Sequence, residues 1–237
     1  MPVRVLLIFG VLAALCWTVA DVLLVGFVQP NDVSFLFPQN LVEALGDDAD
    51  MAALMLRASP DRLFWGVVPA TFSVVLYLAA SFGVYRLMRP SAFSNAAWGL
   101  LFCSYALSPL GHAGFYYVGM AAQGLSASPP DAQGVWLVQF GRFMGLLSVH
   151  WLAAVGLSAA GWFAVLLQIV RGRTVLPKSA AFFSPVPIGV AVAAVCGLFP
   201  ESAVAASLGG ASLNVAQLVF FSAALFFTRQ QRLDMKS

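Results

Sequence analysis

Apolar runs about 20 residues long recur along most of this chain, and that is the length a helix needs to cross a hydrocarbon core of about 30 Å. Nothing else constrains the fold as strongly. In lipid, backbone N–H and C=O groups must be satisfied within the segment or in a closed barrel. A barrel needs short strands that alternate apolar and polar residues, whereas these runs are continuously apolar, so helices are expected. Composition points the same way: 61% of the 237 residues are hydrophobic and 9% are charged, against about 25% charged in a soluble domain. The expectation is an all-α, polytopic transmembrane helix bundle forming a single transmembrane domain over 1–237.

The runs divide the chain into about six spans, at 5–28, 63–87, 92–122, 143–170, 181–199 and 202–227. Arg4 and Thr18-Val19-Ala20 also fit a cleaved secretory signal, but the apolar run continues to Val28, which suits a full span better. The first loop, 29–62, is the most polar stretch, with Asp32, Glu43, Asp47, Asp48, Asp50 and Asp61 against Arg57 and Arg62. Within it, Leu41–Ala58 carries apolar residues at near-helical spacing, which predicts a short amphipathic helix at the membrane interface. Ser59-Pro60-Asp61 reads as a helix start. Pro109 predicts a kink near Ser108–Gly111. The stretch 134–170 would measure about 55 Å as one helix, so 134–145 is expected to begin outside the membrane or at its interface.

Loop charge sets the direction. Arg4, Arg86, Arg89, Arg171, Arg173, Lys178, Arg229, Arg232 and Lys236 fall on one side of a six-helix arrangement, and the acidic first loop, Asp131 and Glu201 on the other. Basic loops stay in the cytoplasm. Both termini are therefore expected inside, in the cytoplasmic membrane. Arg57, Arg62 and Arg142 break the pattern at the outer face.

An ionisable residue inside a span is costly and marks a candidate site. Asp21, His112 and His150 lie on three helices, each about 10–15 Å below the expected outer surface, which suggests one outward-facing cavity. Ser104, Ser108, His112 and Tyr116 recur every four residues on the third span, and Ser207, Gly210, Asn214 and Gln217 form a similar stripe on the sixth. Arg142 and Glu201 stand near the same outer end. The ligand-binding candidates are thus Asp21, His112, Tyr116, Arg142, His150, Glu201 and Asn214. Each has a plainer reading as an interhelical hydrogen-bonding residue. The glycine pairs Gly141/Gly145 and Gly209/Gly210 fit close helix packing.

One carboxylate and two imidazoles are the minimal set for a catalytic zinc or non-haem iron, so Asp21, His112 and His150 are also candidate metal ligands and candidate catalytic residues. No HExxH spacing, nucleophile elbow, P-loop or dinucleotide fingerprint is present. The cysteines Cys16, Cys103 and Cys196 match no zinc or redox spacing. Scattered basic residues make no nucleic-acid surface. Four functions are compatible with these features: a binding or sensing protein for a small lipophilic or amphipathic molecule; a membrane-embedded enzyme, either a metal-dependent hydrolase or an acid–base isomerase; a transporter, which the apolar inner halves of the spans disfavour; and an assembly subunit that docks through the acidic loop. The lipid bilayer is the expected environment in every case.

Three stretches, 17–26, 55–66 and 108–119, carry a likeness. Trp17-Thr18-Val19-Ala20-Asp21, Ser59-Pro60-Asp61-Arg62-Leu63 and Ser108-Pro109-Leu110-Gly111-His112-Ala113-Gly114-Phe115-Tyr116-Tyr117 resemble a family of bacterial multi-pass membrane proteins known only as a domain of unknown function. The resemblance implies membership and topology and no particular activity. Asp21, Arg62 and His112 fall inside the matched stretches, which favours a shared site over chance packing residues.

Overall fold

The structure, a computed structural model, describes residues 1–30 and 32–234, with side chains up to residue 229. Asn31 of the expected outer loop and Lys236 of the basic tail lie outside the described residues. The described chain is an all-α bundle: α1 (Val3–Val25), α2 (Gln39–Leu45), α3 (Ala49–Met55), α4 (Pro60–Leu87), α5 (Ala92–Ala127), α6 (Gln133–Val170), α7 (Pro185–Gly197), α8 (Ala203–Gly210) and α9 (Ser212–Asp234). Four of the described helices are long and apolar enough to cross a membrane: α1, α4, α6 and α9. At 36 residues, α5 matches them in length, but its serines, glycines and His112 dilute its apolar character.

Local chemistry starts these helices where the sequence places them. The Ser59 hydroxyl accepts the Arg62 N–H at 3.2 Å and Pro60 occupies the first turn of α4, where its missing N–H costs nothing. The Ser91 hydroxyl accepts the Ser94 N–H at 3.1 Å and begins α5. Pro109 lies inside α5 without ending it. It deprives the Tyr105 carbonyl of its usual helical donor, while the Ser108 hydroxyl donates one turn back to the Ser104 carbonyl at 2.8 Å.

Helices α5 and α6 form a long antiparallel hairpin. Two glycines let them approach closely: a Cβ at Gly111 would stand 3.3 Å from the Trp151 Cα and one at Gly114 3.1 Å from the Leu147 Cα, tighter than ordinary packing. The 38 residues of α6 run about 57 Å. The segment 134–145 forms the opening turns of this one continuous helix. Its extra turns, with the last turns of α5, build a platform at the end of the bundle away from the termini. The first loop lies on that platform as α2, one turn of 3-10 helix and α3, hinged at Gly46 with φ +56. Leu41, Leu45, Ala52, Ala53 and Met55 are buried there beside Phe115, Val118, Leu125 and Phe140. The amphipathic helix expected over Leu41–Ala58 is thus two short helices whose apolar residues face protein.

Helix α1 packs on α4 and antiparallel to α9: Phe221 lies against Gly10, and Val25 lies against Gly210. The stretch expected as one helix over 202–227 is divided at Ala211 into α8 and α9. Helix α7 has 13 residues and runs antiparallel to that pair, with Phe183 ahead of it touching Phe227 and Cys196 near its end against Gly209. At the termini end, Met88 pairs with Thr174, Arg89 N–H donates to the Arg173 carbonyl at 2.9 Å and Val175 N–H to the Leu87 carbonyl at 2.8 Å. This short clasp ties the α4–α5 and α6–α7 connections together.

Candidate functional site

Helix periodicity brings the buried polar groups to one place. On α1, Trp17 and Asp21 are four residues apart and share a face. On α5, Ser104, Ser108, Gly111, His112 and Phe115 follow the helical repeat and turn towards α1 and α6. On α9, Asn214 and Gln217 are three apart and face α4 and α5. All of them line a cavity of about 420 Å³, within the size range of small-molecule pockets.

Asp21 is the hub. Its Oδ1 lies 3.2 Å from His112 Nε2, and its Oδ2 accepts the Asn214 Nδ2–H at 2.7 Å. Asn214 in turn accepts the Tyr77 hydroxyl at 2.6 Å on Oδ1. The Tyr77 ring stacks on Tyr105 with centroids 4.5 Å apart and planes at 5°, and the Tyr105 hydroxyl donates to Gln217 Oε1 at 2.6 Å. Four helices, α1, α4, α5 and α9, are thereby joined by one polar ladder inside an apolar bundle. Buried polar groups are retained when hydrogen-bonded and costly when not, and this ladder pairs both Asp21 oxygens and both tyrosine hydroxyls. Trp17 covers the imidazole edge-on, with ring centroids 4.3 Å apart and planes at 70°. Two atoms stand outside the ladder: Trp17 Nε1 and His112 Nδ1 are buried without a hydrogen-bond partner among the described residues.

The other sequence candidates lie elsewhere. His150 Nδ1 contacts the Leu146 carbonyl of its own helix at 2.8 Å, and the next residue, Trp151, lines the cavity in its place. One helical step turns a side chain by about 100°, so equal depth does not mean an equal face. Tyr116 also stays out of the lining, which Phe115 supplies. Arg142 and Glu201 are exposed, and neither makes an ion pair among the described residues. The three-ligand set of Asp21, His112 and His150 is not assembled, and no group of three metal-ligating side chains occurs among the described residues. Asp21, His112 and Asn214 are the three expected site residues that meet.

Tyr77, Tyr105 and Trp17 join the site without being expected from the sequence. Signals for them exist. Trp17 is one turn before Asp21, and Tyr105 precedes His112 by seven residues on the same face. Tyr77 has only its polar tip in mid-span as a sign that it needs a partner. Arg62, an exception to the charge pattern, also acquires a role. Its Nε and Nη2 donate to the Leu23 and Val22 carbonyls at 3.0 and 2.8 Å, and its guanidinium lies 3.9 Å over the Phe27 ring. It caps the last turn of α1, adding a second donor to the Val22 carbonyl, which already accepts Gly26 N–H, and a donor to the Leu23 carbonyl.

No curated protein and no solved structure matches the chain. A family model does match, over residues 2–231, nearly the whole sequence. The chain belongs to the family of unknown function DUF6796.

Proposed function

We propose that this chain is an integral membrane protein that holds a small lipophilic or amphipathic molecule in the cavity beside Asp21, as one domain of about six spans. The observation that carries this reading is the cavity itself. Its wall sets one carboxylate, amide groups and hydroxyls among aromatic rings, the mix found in small-molecule sites. The six-span reading is supported by α7. Its 13 residues, about 20 Å of helix, run beside α8 and α9, with Phe183 ahead of it against Phe227 and Cys196 near its end against Gly209. Basic residues gather at the termini end, which favours cytoplasmic termini, and the cavity then faces the other side of the cytoplasmic membrane.

The acid–base reading rests on Asp21 and His112, since a carboxylate on one imidazole nitrogen leaves the other free to take a proton. His112 Nδ1 is, however, buried with no hydrogen-bond partner among the described residues, which favours binding over catalysis. Native mass spectrometry of protein purified in mild detergent tests the proposal. A small molecule retained by the wild type and lost on Val155→Trp, which fills the cavity from α6, is the expected result. Equal masses for wild type and variant, with no stabilisation by any added amphiphile, would sink the proposal.

A further inference from the structure

The proposed pocket has a chemical polarity that narrows its ligand to one class, an assignment that rests on the pocket reading. Among the residues lining the cavity, Asp21 is the one carboxylic acid, His112 stands beside it, and no Lys or Arg joins them. The hydroxyls of the wall mostly point their protons inward to protein. Tyr77 donates to Asn214, Tyr105 to Gln217, Ser104 to the Ala154 carbonyl at 2.7 Å and Ser108 to the Ser104 carbonyl at 2.8 Å. Each of these four oxygens therefore has only lone pairs left for a ligand. Phe115 and Trp151 add aromatic surface beside them, and aromatic faces attract cations.

The wall thus offers several acceptor oxygens and one carboxylic acid, beside the amide of Gln217 and the hydroxyls of Ser158 and Ser212, and it holds no Lys or Arg. An anion would meet the Asp21 carboxyl with no Lys or Arg to receive it. A neutral apolar molecule would leave the lone pairs of the four hydroxyls unmatched. An ammonium group supplies both the missing charge and N–H donors, and an apolar body suits the rings. We infer that the cavity beside Asp21 selects a protonated amine carrying an apolar or aromatic body. The ammonium lies towards Asp21 and the Tyr77 and Tyr105 oxygens, and the body lies along Phe115 and Trp151.

Tryptophan fluorescence gives the test, because Trp17 and Trp151 both line the cavity. The full chain in nanodiscs of zwitterionic lipid is titrated with 2-phenylethylamine, 2-phenylethanol and 3-phenylpropionate, which share one body and carry a cation, a neutral group and an anion. The amine is expected to bind about tenfold or more tightly than the alcohol, with the anion weakest, and Asp21→Asn is expected to erase most of that preference. N,N,N-trimethyl-2-phenylethylammonium, which keeps the charge and lacks N–H donors, is expected to bind between the amine and the alcohol. Equal affinity for amine and alcohol in the wild type would overturn the inference while leaving the pocket reading intact. This comparison holds even if Asp21→Asn fails to fold. Tightest binding of the anion would overturn it as well. Failure of all four probes to bind would remove the pocket reading together with the inference.

Discussion

Replacing Tyr77 by Phe removes one oxygen from the polar ladder and leaves its stacked ring in place. Tyr77 is 1% exposed, and its hydroxyl donates to Asn214 at 2.6 Å. The substitution loses that bond and leaves the Asn214 Oδ1 buried without a donor, a cost of about 1–2 kcal/mol. Asn214→Ala removes two bonds and strands both the Tyr77 hydroxyl and one Asp21 oxygen, at about 2–4 kcal/mol. The two changes share one interaction, so the double variant should cost about 1 kcal/mol less than their sum, within the ceiling of about 1.7 kcal/mol measured for such pairs in membranes. The assay is equilibrium unfolding in mixed micelles, followed by tryptophan fluorescence, for the wild type, both single variants and the double variant. The exposed Tyr85–Asn95 bond at 2.9 Å serves as a control, with an expected coupling below about 0.5 kcal/mol. If the Tyr77 and Asn214 costs add within about 0.3 kcal/mol, the bond carries no coupling and the ladder does not hold α4 to α9.

The α5–α6 contact should be intolerant of bulk: Gly111→Val forces the two backbones apart and should cost about 1–3 kcal/mol in the same unfolding assay, whereas Gly141→Val, which meets nothing within 4 Å, should be close to neutral. Arg62→Met keeps the packing stem and loses both carbonyl bonds and the contact with Phe27, with an expected loss of about 1–3 kcal/mol and faster hydrogen exchange at the last turn of α1. In the first loop, Ser34 holds the Asp32 carboxyl below its ordinary range, through its side chain first and its backbone N–H second. A depressed folded value means that the contact supports the loop above the ordinary carboxylate range and is lost as pH falls through the depressed value. Ser34→Ala should move the Asp32 titration, read by NMR, back towards an ordinary aspartate.

Hydrophobic run length made most of the long helices legible, because the 1.5 Å rise converts it directly into a spanning distance. It could not show the division at Ala211, where Gly209-Gly210-Ala211-Ser212 reads equally well as a close-packing stretch or a break. Depth in a helix was legible and azimuth was not. Asp21 and His112 meet because each is near the cavity in both respects, while His150 matches in depth and misses by one helical step. The stripe of Ser104, Ser108, His112 and Tyr116 fails for a related reason: a four-residue step overshoots one turn by about 40°, so after three steps Tyr116 has left the face on which Ser104 began. The short clasp at the termini end and the cap at Arg62 join residues distant in sequence, and no local pattern announces such pairs.

The bond between Asp21 and Asn214 spans 193 positions of the chain. Synthesis proceeds from the N-terminus, so the carboxylate of α1 emerges long before the helix that receives it. His112 arrives midway and takes one of its oxygens. The other stays without its amide until nearly the whole protein has been made. Non-local pairing of this kind is slow to form, and a carboxylate left without partners among helices is costly. The first and last long helices therefore close the bundle together, and a chain interrupted before α9 would leave that oxygen of Asp21 without its amide.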